Sequence, residues 1–293
     1  EPPGVLTELR ADFDLDLRSD ECVEIFVEVG AGEAAIPSRA RFRAAAARAR
    51  YAMRERRRQG ARITTNGRLF NAWIDKSRAD LALLTTPMRT GPYPYAGIPW
   101  FSTCFGRDGI ITAWQILWFD PGLARGVLSY LAAHQATETS AFRDSAPGKI
   151  MHETRRGEMA ALGEVPFGRY YGGVDTTPLF VGLAGAYVER TGDVAQLEAW
   201  WPALTRAAAW IVEQCDRHPL GLLAYERGAA SGLSNQGWKD SGDSIFHADG
   251  SFPEGPIALV EVQGYAFAAF QTMAALTAQR GEAEASAAWD ERA

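Results

Sequence analysis

The chain has 293 residues, 47% hydrophobic and 23% charged, a composition that excludes a disordered polymer and allows one large or two ordinary domains with a real core. A net charge of −6 and a pI near 5.4 argue against nucleic acid or an anionic membrane as the main partner. Cys22, Cys104 and Cys215 are scattered without CxxC spacing, which suggests neither a disulfide framework nor a zinc site; a neutral ligand, no cofactor and a reducing, cytoplasmic setting are expected.

From Val5 to Val29 apolar and polar residues alternate, as in LTELRADFDLDL and CVEIFVEV, and this period of two predicts strands. Residues 1–36 read as the tail of an N-terminal β-domain. The acidic start is unlike a signal peptide and no apolar run is long enough to span a membrane. The opening inside strand and the close of AWDERA inside a helical pattern predict a piece of a longer chain. Residues 37–65 turn to Ala and Arg with helical periodicity between Pro37 and Arg62, a linker helix. Its arginines lack interleaved aromatics and read as a solvated face, with no nucleic acid implied.

Residues 66–293 are helical in pattern. Helices are expected near Leu69–Leu84, Gly109–Trp118, Ala124–Gln135, Thr177–Thr191, Val194–Asp216, Ile257–Ala278 and from Glu282 to the end. Long loops (86–108, 136–175 and 217–256) alternate with short connections at Asp120–Pro121 and Gly192–Asp193. Long loops in a compact domain are usually functional. Successive helical hairpins with every long loop at one end describe a mainly α fold, a partial α/α toroid whose mouth is the site.

Three motifs fail. GAGEAA at 30–35 superficially matches a dinucleotide fingerprint, but Pro37 breaks the helix that would cradle the pyrophosphate. His152-Glu153 opens like HExxH, yet Arg156 stands where the second zinc ligand belongs. The carboxylates of 240–250 lack EF-hand spacing.

Four loop motifs and one helix start are candidates for sugar chemistry. NQGWKDSGDS, at 235–244, sets Asp240 beside Trp238 and Lys239: an indole packs on the apolar face of a pyranose while a nearby carboxyl protonates a glycosidic oxygen. The same string also fits an ordinary Asp-Ser-Gly surface turn. In YPYAGIPWFSTCFGRD an aromatic cluster with Trp100 and Phe101 leads into Arg107 and Asp108, a donor fork beside an acceptor suited to vicinal hydroxyls, or else a helix N-cap and its surface partner. GKIMHETRRGE offers His152, Glu153 and Arg155 as a hydrogen-bonded network; YYGGVDTT offers Tyr171 and Asp175, the latter either a sugar ligand or a helix cap; EVQGY offers Glu261 and Gln263, the former stabilised at a helix N-terminus.

On these motifs, in this order, Phe70 to Ala278 resembles the catalytic domain of bacterial glycogen debranching proteins of the amylo-α-1,6-glucosidase type, and the preceding strands resemble the tail of their N-terminal β-sandwich. The resemblance implies an inverting glucosidase on an (α/α)6 toroid acting on α-glucan, with Asp240 as general acid and Arg107 and Asp108 gripping the terminal glucose. The family's general base is a Glu in a later hairpin, and no motif resembling it occurs in this chain, which is therefore expected to be inactive alone. Asp243 is the second candidate for the acid. Other readings are a toroidal disaccharide phosphorylase or trehalase, separated by phosphate dependence, and a non-catalytic glucan-binding fragment. The oligomeric state is not legible.

Overall fold

The computed structural model describes residues 4–6, 10–29 and 36–293, with the side chains of 4–6 left aside; Gly30–Ala35, the failed dinucleotide string, lies outside the described residues. The chain parts into two compact units, Glu1–Glu55 and Arg56–Ala293, so the boundary falls about ten residues before the expected 65/66.

In the first unit β1 (Gly4–Leu6) and β2 (Ala11–Phe13) form a two-stranded antiparallel pair with Gly4 opposite Phe13 and Leu6 opposite Ala11. The second alternating run, 21–29, is not a strand. A strand requires a hydrogen-bonded neighbour; here the side chains bind α1 (Arg39–Arg57) instead. Phe26 packs on Phe42 with ring centroids 5.7 Å apart, Glu28 takes two hydrogen bonds from Arg41, at 2.8 and 2.5 Å, and Glu24 pairs with Arg39 at 3.1 Å. The described residues of this unit thus form one strand pair and a helix, and the expected sandwich is not seen among them.

The second unit is mainly helical. α2 (Arg68–Leu84) runs into a hairpin of β3 (Thr85–Met88) and β4 (Gly91–Pro94), followed by α3 (Gly106–Gln115), α4 (Pro121–Ala133), a single turn α5 (Glu158–Ala161), α6 (Thr176–Thr191), α7 (Val194–Arg217), α8 (Val260–Gln279) and α9 (Ala283–Arg292). None of the described helices is long and apolar enough to cross a membrane. Local chemistry sets two of the starts. Asp120 accepts from Gly122 N at 3.1 Å with Pro121 in the first turn of α4, and Asp193 accepts from Gln196 N at 3.1 Å to cap α7.

α3, α6 and α8 lie side by side as one row, and α4, α7 and α9 each pack against their sequence partner. The apolar faces meet between them: Ile110 of α3, Leu128 and Leu131 of α4, Phe180 and Leu183 of α6, Leu204 and Ile211 of α7, and Met273 of α8 are wholly buried. The β3–β4 hairpin, missed in the sequence because Pro87 and Pro92 depress strand propensity, packs on α4. There Gly126 permits backbone contact: a Cβ on it would lie 2.1 Å from Pro92 O. Gly126→Ala is expected to cost about 1–3 kcal/mol through this overlap, read as a lower midpoint in urea unfolding; an unchanged midpoint would show that the hairpin is free to lift.

Candidate active site

Strand-like bridges place the first groups. Phe105 pairs with Glu153, and Glu153 with Tyr170. Gly106 N donates to His152 O at 2.6 Å, and Gly106 leaves room for this: a Cβ would meet Met151 O at 2.1 Å. The N-terminus of α3 is thereby held on the 151–153 segment. Beneath it, fully buried Tyr93 donates its hydroxyl to Phe105 O at 2.8 Å. The helix begins three residues before the expected Gly109, so Arg107 and Asp108 lie inside its first turn.

Arg107 is the centre. It is 7% exposed, and its fork joins two carboxylates: Nη1 donates to Asp175 at 3.1 Å and Nη2 to Asp240 at 3.0 Å. Arg107 pairs with these two carboxylates and not with its neighbour Asp108, since consecutive residues of a helix point about 100° apart. Nor is Asp108 the cap; Phe105 holds that position, and half-buried Asp108 adds negative charge at the positive end of α3. Burial works against the Arg107 cation, but the charges of Asp175 and Asp108 outweigh it and its pKa is raised.

Asp175 stands at the N-cap position of α6 without a capping bond to the helix; besides Arg107 its carboxylate accepts from Thr176 Oγ1 at 3.3 Å. Burial pushes its pKa up against the opposing pull of Arg107. Glu153, bridged to Phe105 and Tyr170, is buried and accepts from Arg155 Nε at 2.6 Å; burial raises its pKa, Arg155 opposes the rise, and the charges of Asp240 and Asp108 add to it. Arg155 continues outward, donating to Trp100 O at 2.8 Å, with its guanidinium 5.1 Å from the Phe105 ring centroid and 5.7 Å from that of Phe101. Trp100 is 79% and Phe101 50% exposed.

The 235–244 loop is a turn tied by Asn235, whose Nδ2 donates to Ser241 O at 2.6 Å and Ser244 Oγ at 3.2 Å. The turn presents Asp240 to Arg107. It leaves the indole outside: Trp238 is 57% exposed and the Lys239 ammonium sits over its ring at 5.3 Å. Asp243 is exposed and takes no part in the Arg107 cluster. Glu261, half-buried in the first turn of α8, lies beside Gly237, its Oε1 4.0 Å from where a Cβ there would stand. Arg107, Asp175 and Glu261 thus bring the N-terminal ends of α3, α6 and α8 to one place. Tyr265, one turn beyond Glu261, joins them: burial raises its hydroxyl pKa, and the charges of Asp175 and Glu261 add to the shift. Its i+4 spacing from Glu261 was the available signal.

Three expected ligands are spent elsewhere. Tyr171 is 3% exposed and donates to His134 O at 2.8 Å. Gln263 exchanges hydrogen bonds with the backbone of Leu223, both at 2.9 Å, and donates to Leu259 O at 2.9 Å, so its amide ties a loop to α8. His152 does not join the Glu153–Arg155 pair; its ring is wedged edge-on between Phe105 and Tyr170, its Nδ1 has no partner, and burial, with Arg107 and Lys149 nearby, lowers its pKa to about 3. It is a neutral core residue.

A separate cleft of about 580 Å³ is lined by Tyr95, Trp100, Cys104, Tyr130, Arg155 and Met159 among others, and by none of Arg107, Asp175 and Asp240. The Arg107 cluster, with two carboxylates on one guanidinium, is the candidate site. Among the described residues no three His, Cys, Asp or Glu side chains gather as metal ligands. The sequence matches no known family model and no curated protein.

Proposed function

We propose that the protein acts on α-glucan as a glycoside hydrolase of the glycogen-debranching, amylo-α-1,6-glucosidase type, with inversion and with Asp240 as general acid, on a partial (α/α)6 toroid. One observation carries the reading. Buried Arg107 joins wholly buried Asp175 to Asp240, whose side chain is 45% exposed, where the N-termini of three neighbouring helices converge. The side-by-side row of α3, α6 and α8, each backed by its sequence partner, supports an arc of a toroid.

Openness separates the carboxylates. The side chains of Asp175 and Glu153 are 2% and 6% exposed, so Asp240 is the one of the three with room to reach a glycosidic oxygen. To act as acid it must carry a proton and exchange Arg107 Nη2 for that oxygen; Arg107 remains held by Asp175. Inversion further needs a base about 6.5–9.5 Å from the acid on the opposite sugar face. Glu153 and Glu261 are the first residues to test for that role.

The test is calorimetric titration with glucose and isomaltose, together with proton NMR of an α-1,6-branched dextrin digest, in which an inverting enzyme releases β-glucose first. Asp108→Ala is expected to weaken glucose binding about tenfold or more, the loss of one charge-assisted hydrogen bond, with little change in melting temperature. Wild-type protein that neither binds glucose nor releases it would overturn the reading. A large fall in melting temperature with unchanged binding would return Asp108 to a purely structural role.

A further inference from the structure

Asp144 is the only non-glycine residue with positive φ among those described, at 49°. Such a conformation is uncommon outside glycine, though Asp tolerates it better than most residues. The residue is 9% exposed, and all of its acceptor atoms are used. Oδ1 accepts from Gly228 N at 2.6 Å; Oδ2 accepts from Tyr170 Oη at 2.6 Å and Gln236 Nε2 at 3.2 Å; the main-chain O accepts from Lys149 Nζ at 3.0 Å. The loop backbone closes on the carboxylate so tightly that a Cβ at Gly228 or Gly232 would come within 2.8 or 2.7 Å of its oxygens.

Two of these partners, Tyr170 and Gln236, lead to the site. Tyr170 Oη accepts in turn from Leu233 N at 2.8 Å, and the Tyr170 backbone pairs with Glu153 through bonds of 3.0 and 3.2 Å. Gln236 O accepts from Val174 N at 2.9 Å, immediately before Asp175. One carboxylate therefore ties the 228–236 chain to Tyr170, the bridge partner of Glu153, and to the start of α6. Asp240 follows four residues after Gln236 and touches the cluster only through Arg107, so where its loop sits decides where it sits.

We infer that Asp144 is a positioning residue, which sets the Asp240 loop against Glu153 and Asp175 through Gln236 and Tyr170 without touching a ligand. The inference deepens the proposed reading of the Arg107 cluster, and its test reads the loop directly. Amide hydrogen exchange is compared in wild type, Asp144→Asn, Asp144→Gly and Tyr170→Phe. Removing one charge-assisted acceptor or its donor should raise exchange in 228–240 about tenfold or more, with α4, α6 and α7 within about twofold of wild type. Trypsin cleavage after Lys239 should rise in parallel. Asp144→Gly keeps the backbone conformation and deletes the carboxylate, so it must loosen the loop as well.

Unchanged loop exchange in Asp144→Gly and Tyr170→Phe would overturn the inference. So would an increase spread evenly over the whole unit, the mark of a residue that serves only global stability. Should Asp144→Asn fail to fold, Asp144→Gly decides, because Tyr170→Phe also removes the acceptor of Leu233 N. Wild-type protein that binds no sugar, with variants whose loop still loosens, would sink the site reading and leave Asp144's hold on the loop standing.

Discussion

Arg107→Met is expected to destabilise the Arg56–Ala293 unit by about 3–5 kcal/mol at neutral pH, a fall in melting temperature of roughly 6–20 °C. The cause is the carboxylate left behind. Asp175 is 1% exposed, and without Arg107 its charge is buried with no cation bonded to it, the Thr176 hydroxyl being its remaining side-chain donor. Its pKa, already raised by burial, loses the guanidinium that pulls it down and rises further. A folded pKa above the unfolded one means that the folded state holds the proton more tightly. The variant's deficit therefore grows as pH rises through the folded pKa of Asp175 and shrinks toward about pH 4, near the unfolded value. Urea unfolding at pH 5 and pH 8 checks the sign. Adding Asp175→Asn to Arg107→Met should recover part of the loss at pH 8, because a neutral amide costs less to bury than an unpaired charge. A deficit that is the same at both pH values, or no recovery in the double variant, would show that the Arg107 stem and not its charge matters.

Asp240→Asn should lower kcat by roughly three orders of magnitude on glycosides with poor leaving groups, wherever hydrolysis through this site is measured. Aryl glucosides, whose leaving groups need little protonation, should be far less affected. The fold should hardly notice: the Asp240 side chain is 45% exposed, and an ion pair so open contributes at most about 1 kcal/mol. Equal losses on both substrate classes would remove Asp240 from the acid role, and near-normal turnover would direct attention to Asp243. The two substitutions separate the two jobs of the cluster. Arg107 with Asp175 joins the ends of α3 and α6, whereas Asp240, the more exposed partner, is the proposed acid.

Much of the second unit was legible because its signals are local. Apolar residues at helical spacing marked α2, α4, α6, α7 and α8, while Asp120 and Asp193, read only as short connections, cap α4 and α7 through a nearby backbone N–H. The long loops with Trp100, Arg107, Glu153, Asp175 and Asp240 stood out by composition alone. Hydrogen-bond partners were beyond such reading, since they depend on which loops meet. Arg107 finds its carboxylates 68 and 133 residues away, and no rule of spacing links them. Tyr171 and Gln263 looked like ligands because polar groups in a rich loop invite that inference; packing gave their polar atoms to His134 O and to Leu223. The same holds for Asp144, an unremarkable Asp in a loop until Tyr170, Gly228 and Gln236 close around it.

Sequence by itself determined the mainly helical character, the order of the helices and the loops in which polar chemistry gathers, because periodicity and capping act within a few residues. Tertiary structure alone decided that Arg107 serves Asp175 and Asp240 and not Asp108, that His152 is a neutral core ring, and that 21–29 lies along a helix and not in a sheet. Each of these depends on groups far apart in the chain competing for the same donors, acceptors and buried space, and that competition is settled only when the helices pack.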